Sequence, residues 1–327
     1  MLMKLKSVTG LQELFLEYIS QNRFARTPEE LYAPVDYIMG LGGKRLRPVL
    51  LLMSYQLFDS HLTKVLPAAM AIEVFHNFTL VHDDIMDQAP LRRGMPTVHE
   101  KYNHNTGILS GDVMLIRAYQ FLLAATEKHN AQAVVDIFSQ VAVEVCEGQQ
   151  MDMNFETAQS VSLAEYLRMI ELKTAVLIAG AMKIGALLGG ASETDATHLY
   201  EFGRNIGVAF QIQDDVLDTY GDPEKFGKKQ GGDILRNKKT YLLLKSFELA
   251  DAATTAQLKK AMLEKDDDQK IREVIRIYDH LKVRDHAIDQ KEWLLREAYQ
   301  HLASVNCTDE GKLQIRALAE GLMVREV

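Results

Sequence analysis

Apolar residues recur at helical spacing along most of the chain. One stripe runs through residues 71 to 87 and consists of Ala71, Val74, Phe75, Phe78, Val81 and Ile85. A second runs through residues 202 to 217 and consists of Phe202, Ile206, Ala209, Phe210, Val216 and Leu217. Residues three or four apart share one face of a helix, and no sustained alternation of apolar and polar residues suggests strands. The pattern predicts an all-α protein, a single domain over residues 1–327 with ten or more helices.

Small residues in one apolar segment predict a close helix contact. In residues 174–191, "TAVLIAGAMKIGALLGGA", Ala181, Gly185 and Gly189 fall four apart, so a neighbouring helix can approach that face. This segment is also the most membrane-like part of the chain. Because Lys183 lies at its middle, we expect no stable membrane insertion.

Composition and charge narrow the class of protein. Of the 327 residues, 47% are hydrophobic and 25% are charged, as in soluble globular proteins. The net charge of −8 argues against a nucleic-acid partner. The two cysteines, Cys146 and Cys307, lack the spacing of a disulfide framework or a zinc site. The first ten residues lack the apolar core of a signal peptide, so we predict a cytoplasmic protein.

Two short segments concentrate aspartates at helical spacing. They are "HDDIMD", with Asp83, Asp84 and Asp87, and "QDDVLD", with Asp214, Asp215 and Asp218. Like charges at this spacing destabilise a helix by about 0.3 kcal/mol per pair. Solvated helix faces, general acid/base pairs and metal sites can all contain such clusters. The pair His82-Asp83 also suggests an HD-type metal phosphohydrolase, but no clear set of further histidine ligands accompanies it.

Cations are concentrated in a glycine-rich loop before the first acidic segment and in the loops that follow each of the two segments. In chain order they are Lys44, Arg45 and Arg47 in "GLGGKRLRP", Arg92 and Arg93 after the first segment, and Lys228, Lys229 and Lys238 after the second. An acidic turn followed by a basic loop, found twice, is typical of a polyphosphate-like anion that divalent cations bridge to the protein. The repeated arrangement favours metal binding and implies more than one anionic group.

Five motifs, in register, resemble those of the trans-type isoprenyl diphosphate synthases, the head-to-tail prenyltransferases of the polyprenyl synthetase family. They are "GGKRLRP", "VHDDIMDQAPLRRGMPTVH", "ELKTA" at 171–175, "FQIQDDVLD" at 210–218 and "FGKKQGGD" at 226–233. The resemblance covers residues 40–240. It implies an all-α bundle around a deep central cavity and a homodimer. It also implies that isopentenyl diphosphate is condensed with dimethylallyl, geranyl or farnesyl diphosphate by magnesium-assisted ionisation.

The same resemblance implies a role for each matching residue. Magnesium ions would be held by Asp83, Asp87, Asp214 and Asp218, with Asp84 and Asp215 either as supporting ligands or as residues that hold the ligands in place. The allylic diphosphate would be contacted by Arg92, Lys173, Thr174, Gln211, Lys228 and Lys238. Isopentenyl diphosphate would be held by Lys44, Arg47, His76 and Arg93. The residues implied to be catalytic are Asp83, Asp87, Lys173, Asp214 and Lys228.

The residue types suit this chemistry. Metal ions and cationic side chains neutralise the charge that develops on a departing diphosphate, and an apolar cavity keeps water from the allylic cation. No side chain is an obvious base, and the resemblance implies that the departing diphosphate takes the proton. The chain departs from the usual family pattern at Lys229, often a proline, and at Asn237, commonly a glycine. Because asparagine tolerates positive φ, we expect the turn at Asn237 to be kept.

Product length is predicted from the first acidic helix. Phe78 lies five residues, or about 7.5 Å, before Asp83, where an aromatic side chain limits the product in this family, and its neighbour Thr79 is small. We predict a short product, farnesyl or geranylgeranyl diphosphate. Val74 or Phe75 could set the limit instead, and Phe78 could simply be core packing.

The competing functions are a class I terpene cyclase, which would lack the second acidic turn, and a non-catalytic synthase subunit, which would lose the aspartates.

Overall fold

The structure is a computed structural model that describes residues 5–128, 130–221 and 230–323. Within these residues the chain is almost entirely helical, which confirms the predicted all-α class. The helices of the first part are α1 (Val8–Gln21), α2 (Glu29–Gly40), α3 (Leu46–Gln56), α4 (Leu66–Met86), α5 (Val98–Lys101), α6 (His104–Ala124) and α7 (Ala131–Thr157). A short 3₁₀ turn, Leu62–Lys64, precedes α4.

The second part of the chain continues the helical pattern. Its helices are α8 (Leu163–Ile170), α9 (Val176–Leu188), α10 (Glu193–Tyr220), α11 (Gly232–Leu235), α12 (Tyr241–Leu249), α13 (Ala252–Met262), α14 (Asp267–His280), α15 (Val283–Ser304) and α16 (Asp309–Met323). A single π turn, Glu171–Ala175, joins α8 to α9.

One feature of the fold was not expected from the sequence. Two-residue strands, β1 (Leu91–Arg92) and β2 (Met95–Pro96), form an antiparallel hairpin with Arg92 opposite Met95. The two central residues of the turn, Arg93 and Gly94, both have positive φ, 54° and 77°. Positive φ at both positions defines a type I′ turn, whose twist matches that of paired strands.

The chain divides into two compact units. Unit one contains the described residues of Met1–Ser139, Gly180–Tyr200 and Val305–Ile315, and unit two those of Gln140–Ala179, Glu201–Ser304 and Arg316–Val327. The first acidic turn and the loop of residues 40–47 belong to unit one. The second acidic turn and the π turn belong to unit two. The single domain over residues 1–327 stays a prediction.

Helix α4 supplies much of the core of unit one. Its residues from Ala68 to Phe75 are almost completely buried, and α4 packs against α3 and α6. Several of these residues are alanines, whose small side chains allow neighbouring helices to come close. Burial of each large apolar side chain contributes about 1.5–3 kcal/mol. The C-terminal end of α4 is therefore carried by a well-packed helix.

The predicted close contact at the glycines of the 174–191 segment is confirmed. A Cβ added to Gly185 in α9 would lie 2.2 Å from the carbonyl oxygen of Leu51 in α3, and one added to Gly189 would lie 2.7 Å from the carbonyl oxygen of Tyr55. Both separations are shorter than van der Waals contact. Glycine at these positions therefore lets the two backbones meet.

In the described part of the chain, α6 alone is long and apolar enough, by length and composition, to cross a membrane. This is weak evidence, because the core helices of water-soluble proteins share these properties. Helix α9, within the stretch that looked most membrane-like in the sequence, has only 13 residues. The cytoplasmic location and the lack of stable membrane insertion stay predictions.

Replacing Gly185 with alanine should destabilise unit one. The added methyl group would overlap the Leu51 carbonyl oxygen, and overpacking of this kind costs about 1–3 kcal/mol. Urea or thermal unfolding of the purified variant would measure the loss. Gly321→Ala in α16 is the matched control, because nothing lies within 4 Å of its added Cβ and alanine favours a helix. Equal stability of the two variants would contradict this account of Gly185.

Candidate active site

The first acidic turn lies at the C-terminal end of α4. Asp83 and Asp84 belong to the last turn of the helix and Asp87 follows as its C-cap. The side chain of Asp84 is only 1% exposed, whereas that of Asp83 is 20% exposed and Asp87 is exposed. Asp87 is therefore accessible and Asp83 partly so, with its Oδ1 buried, whereas Asp84 points into the protein.

The β1–β2 hairpin brings Arg92 to the buried carboxylate. The guanidinium of Arg92 donates three hydrogen bonds of 2.7–2.9 Å to the two oxygens of Asp84, and its Nη2 lies 3.9 Å from Asp83. Burial opposes the charge on Arg92, but the bonds to Asp84 and the nearby Asp83 and Asp87 raise the pKa of Arg92 above its usual value. Asp84 is thus neutralised locally, which leaves Asp83 and Asp87 as the accessible acids of the turn.

The same hairpin contacts the glycine-rich loop. Arg93 donates a hydrogen bond to the carbonyl oxygen of Gly42. Gly43 has a φ of 122°, and a Cβ there would lie 2.9 Å from the guanidinium carbon of Arg93. A glycine at this position therefore leaves space for Arg93 against the loop. The loop and the hairpin contribute to one surface, called here the basic surface, which consists of Lys44, Arg47, His76 and Arg93.

Arg47 and His76 form the next part of this surface. Nη1 of Arg47 lies 3.2 Å from Nε2 of His76. Because a guanidinium can only donate, Nε2 accepts and the proton of the neutral ring is on Nδ1. Burial and the nearby arginines lower the pKa of His76 well below its usual value, and burial lowers the pKa of Arg47 to about 10. His76 is therefore a neutral residue with one N–H that it can donate.

Arg45 is placed differently from its neighbours in the loop. Whereas Lys44 is exposed, Arg45 is buried and forms an ion pair with the buried Glu73 of α4. The sequence placed Arg45 among the loop cations and gave no role to Glu73. A carboxylate inside the apolar run of α4 was the available signal, because a buried charge requires a partner.

The second acidic turn, at the end of α10, is held by hydrogen bonds within unit two. Oδ2 of Asp215 accepts bonds from the Tyr166 hydroxyl at 2.5 Å and from the Tyr241 backbone N–H at 2.8 Å. Burial raises the pKa of Asp215 to about 7, although both bonds oppose the rise. Oδ2 of Asp218 accepts a bond from the backbone N–H of Asp233 at 2.8 Å. These bonds join the turn to α8, α11 and α12.

The π turn positions Lys173. Its Nζ lies 2.6 Å from Oδ2 of Asp152 in α7, a partner that the motifs did not identify. A Cβ on Gly148 would lie 2.3 Å from the backbone nitrogen of Lys173, so the turn packs directly on the backbone of α7. Single π turns of this kind are frequent at functional sites.

The remaining predicted residues of unit two have fewer defined contacts. Thr174 and Gln211 are half-buried, and Lys238 is exposed. Asn237 has a φ of 52°, which confirms that asparagine keeps the positive-φ turn. Lys228 and Lys229 lie outside the described residues.

Among the described residues, the acidic turns do not by themselves form a complete set of metal ligands. In residues 5–128, 130–221 and 230–323, no three histidine, cysteine or acidic side chains converge on one point that could hold a metal ion. The accessible carboxylates of Asp83 and Asp87 nevertheless fit Mg²⁺, which prefers oxygen ligands and commonly takes only one or two carboxylates together with water and substrate phosphates.

Comparison with known proteins identifies the class of this fold and site. Residues 28–279 match the polyprenyl synthetase family, which is most of the chain, and the chain belongs to that family. The family resemblance found in the motifs is thereby confirmed.

Similar proteins are prenyl diphosphate synthases. The chain is 48% identical over 223 residues, 68% of each chain, to a geranylgeranyl diphosphate synthase of Methanosarcina mazei. A crystal structure of a geranylgeranyl pyrophosphate synthase superimposes with a TM-score of 0.93 at 43% identity, covering 99% of this chain and 100% of the other. These similarities confirm the predicted isoprenoid synthase fold and the predicted class of enzyme, a prenyltransferase.

A third similar protein is known with ligands bound. The geranylgeranyl pyrophosphate synthase from Corynebacterium glutamicum, complexed with isoprenyl diphosphate and magnesium, superimposes with a TM-score of 0.82 at 26% identity, and each chain is 98% covered.

Proposed function

We propose that this chain condenses isopentenyl diphosphate with an allylic diphosphate to give a short all-trans prenyl diphosphate and diphosphate. The supporting observation is that unit one carries two groups of side chains that suit two different diphosphates. The acidic pair Asp83 and Asp87 at the end of α4 would reach one diphosphate through metal ions, and the basic surface with the neutral His76 would contact the other directly. A terpene cyclase, which ionises one diphosphate and adds no second substrate, has no use for the basic surface.

Isopentenyl diphosphate would bind the basic surface of unit one. This surface consists of Lys44, Arg47, His76 and Arg93. Among the described residues, the buried Nε of Arg47 has no hydrogen-bond partner, so a phosphate oxygen would satisfy it. The Nδ1–H of His76 would be a further donor without adding charge. Lys44 is exposed and would complete the binding of the diphosphate.

The allylic diphosphate would bind through the acidic turns and their cations. Asp83, Asp87, Asp214 and Asp218 are proposed to hold magnesium, with Asp84 and Asp215 supporting them. The proposed cationic and polar contacts are Arg92, Lys173, Thr174, Gln211, Lys228 and Lys238. Bound magnesium supplies Lewis-acid neutralisation of the leaving diphosphate. The related synthase complexed with isoprenyl diphosphate and magnesium supports this choice of metal.

The reaction breaks the allylic C–O bond and forms one C–C bond. The cations of the site stabilise the departing diphosphate, and apolar walls exclude water from the allylic cation. The isopentenyl double bond then attacks the cation, and the proton lost from the adduct passes to the departed diphosphate. No protein base is proposed. Asp152, paired with Lys173, would keep that lysine positioned until a diphosphate oxygen competes for it.

The purified chain should incorporate labelled isopentenyl diphosphate into a discrete prenyl product with magnesium and an allylic primer. Asp83→Asn should lower kcat by about 10²–10³, because one charged ligand opposite the leaving group is removed. Dephosphorylated products would be separated by length and counted for each primer: dimethylallyl, geranyl and farnesyl diphosphate.

Asp136→Asn in α7 is the matched control, because Asp136 is an exposed aspartate in the same unit with no proposed role. It should keep its activity within about twofold. Consumption of the primer without isopentenyl diphosphate would instead identify a cyclase. No turnover by the lone chain with any primer would indicate a subunit that requires a partner.

Product length is proposed to depend on Phe78. This side chain is 9% exposed, and its ring lies 5.6 Å from that of Phe75 and 4.9 Å from that of His82. Phe75 is fully buried and also packs on Phe138, with their rings 5.3 Å apart. Because Phe78 is the more accessible of these phenylalanines, we propose that it ends the space open to a growing chain and limits the product to farnesyl or geranylgeranyl.

Phe78→Ala should therefore lengthen the product by at least one isoprene unit. The assay is the same primer extension, with products separated by chain length. Phe15→Ala in α1, which truncates another buried phenylalanine of unit one, is the control for lost packing. Truncations of this kind lower the free energy of unfolding by about 3–5 kcal/mol. If both variants lose stability and neither changes the product, Phe78 is core packing.

We also propose that two copies associate through α6. Its exposed apolar residues Leu109, Ile116 and Leu123 are seven apart and so lie along one side of the helix, and they are 50–59% exposed. A stripe of this kind usually marks an interface. Light scattering should give twice the 36.9 kDa of one chain, and Ile116→Glu should shift the mass towards a single chain. A monomeric wild-type protein would exclude the dimer.

A further inference from the structure

Glu73 is a buried carboxylate directly behind the basic surface. It is 2% exposed, and it lies three residues before His76 on α4. Its Oε1 accepts hydrogen bonds from Nη1 of Arg45 and, at 3.0 Å, from Nδ2 of Asn77. Arg45 in turn donates a bond to the carbonyl oxygen of Met39 near the end of α2. The ion pair therefore joins α2, α4 and the loop of residues 40–47.

Stability alone is a poor explanation for this pair. Moving two ions out of water has a large cost in free energy, and apolar side chains of similar size often give an equally stable or more stable protein. Neither Glu73 nor Arg45 faces a substrate, because both are almost completely buried. What the pair determines is the path of the loop.

The backbone of Arg45 adopts a conformation that is rare for residues other than glycine. As the N-cap of α3, it has φ 49° and ψ 39°, the left-handed region, which is strained for a non-glycine residue. The bonds to Glu73 and Met39 offset that strain. With Arg45 turned inward, Lys44 remains exposed and Arg47 reaches His76 at 3.2 Å.

Glu73 also balances the charge of the surface. Burial lowers the pKa of both Arg47 and Arg93, and in each case the carboxylate of Glu73 acts in the opposite direction. The negative charge is on the protein side of the surface. It supports the two arginines without standing where an anionic substrate would bind.

We propose that Glu73 is a positioning residue for isopentenyl diphosphate, which acts by holding Arg45 inward so that Lys44, Arg47 and Arg93 are presented to the substrate. The proposal rests on the proposed function of that surface. It predicts an effect confined to one of the two substrates, because the pair lies behind the basic surface and is separate from Asp83 and Asp87.

Glu73→Gln tests the proposal. It removes the charge and keeps a similar shape and one acceptor. We expect KM for isopentenyl diphosphate to rise at least tenfold, while KM for the allylic primer changes less than about twofold. Calorimetric titration with isopentenyl diphosphate should show the same rise in Kd. Glu193→Gln is the matched control, since Glu193 pairs with Lys183 at 2.5 Å in the same unit and should leave both constants unchanged.

A second variant separates positioning from stability. Arg45→Met with Glu73→Met replaces the ion pair by apolar side chains of similar length, so it should recover the thermal stability that Glu73→Gln loses. We expect its KM for isopentenyl diphosphate to stay raised. If Glu73→Gln does not fold, the double variant serves as the test of the proposal.

Two results would overturn the proposal. One is an equal change in both KM values for Glu73→Gln, and the other is a wild-type KM for isopentenyl diphosphate in the double variant. Failure of the proposed function is distinguishable, because the wild-type chain would then not incorporate isopentenyl diphosphate. Calorimetric titration of the wild-type protein and of Glu73→Gln would then still show whether Glu73 affects the binding of isopentenyl diphosphate, because the measurement requires no turnover.

Discussion

The charge of three aspartates at the end of α4 has to be compensated, and the hydrogen bonds of Arg92 to Asp84 do this for one of them. Because Asp84 is buried, it can keep its charge only with a partner. The type I′ turn delivers that partner and also points Arg93 at Gly42. Asp83 and Asp87 remain accessible. The proposed binding of magnesium at the turn depends on this difference, in which one aspartate is buried and paired with Arg92 while the other two can reach a metal ion.

Helix α4 supports nearly everything proposed for unit one. Its buried apolar face anchors it against α3 and α6. The same helix carries Glu73 and His76 for the basic surface, Phe78 for product length and the acidic turn at its end. A shift of one residue along this helix would rotate all four features by about 100°. The tight packing of its first half is thus the condition for the geometry of its second half.

Unit two positions its polar residues largely through backbone contacts. The N–H groups of Asp233 and Tyr241 donate to the carboxylates of Asp218 and Asp215. The π turn at Lys173 packs on Gly148 at a distance that excludes any side chain there. In unit one, Gly185 meets Leu51 in a similar way. Glycine at such positions permits the close contact of backbones on which the placement of the charged residues depends.

The sequence alone determined the helical class, the two acidic turns, the family and the close contact at Gly185, because these depend on local periodicity and on motifs of fixed spacing. Charge and spacing alone could not separate Asp84 from Asp83, nor Arg45 from Lys44, since adjacent residues of the same charge look alike until burial distinguishes them. Only the family resemblance assigned them different roles. No sequence signal indicated the hairpin, because Arg93 is not a residue typical of a type I′ turn. The pairings of Arg45 with Glu73 and of Lys173 with Asp152 join residues 28 and 21 positions apart. Only the tertiary structure decided these pairings, because a buried charge takes whichever partner the packing of the helices brings within hydrogen-bond distance.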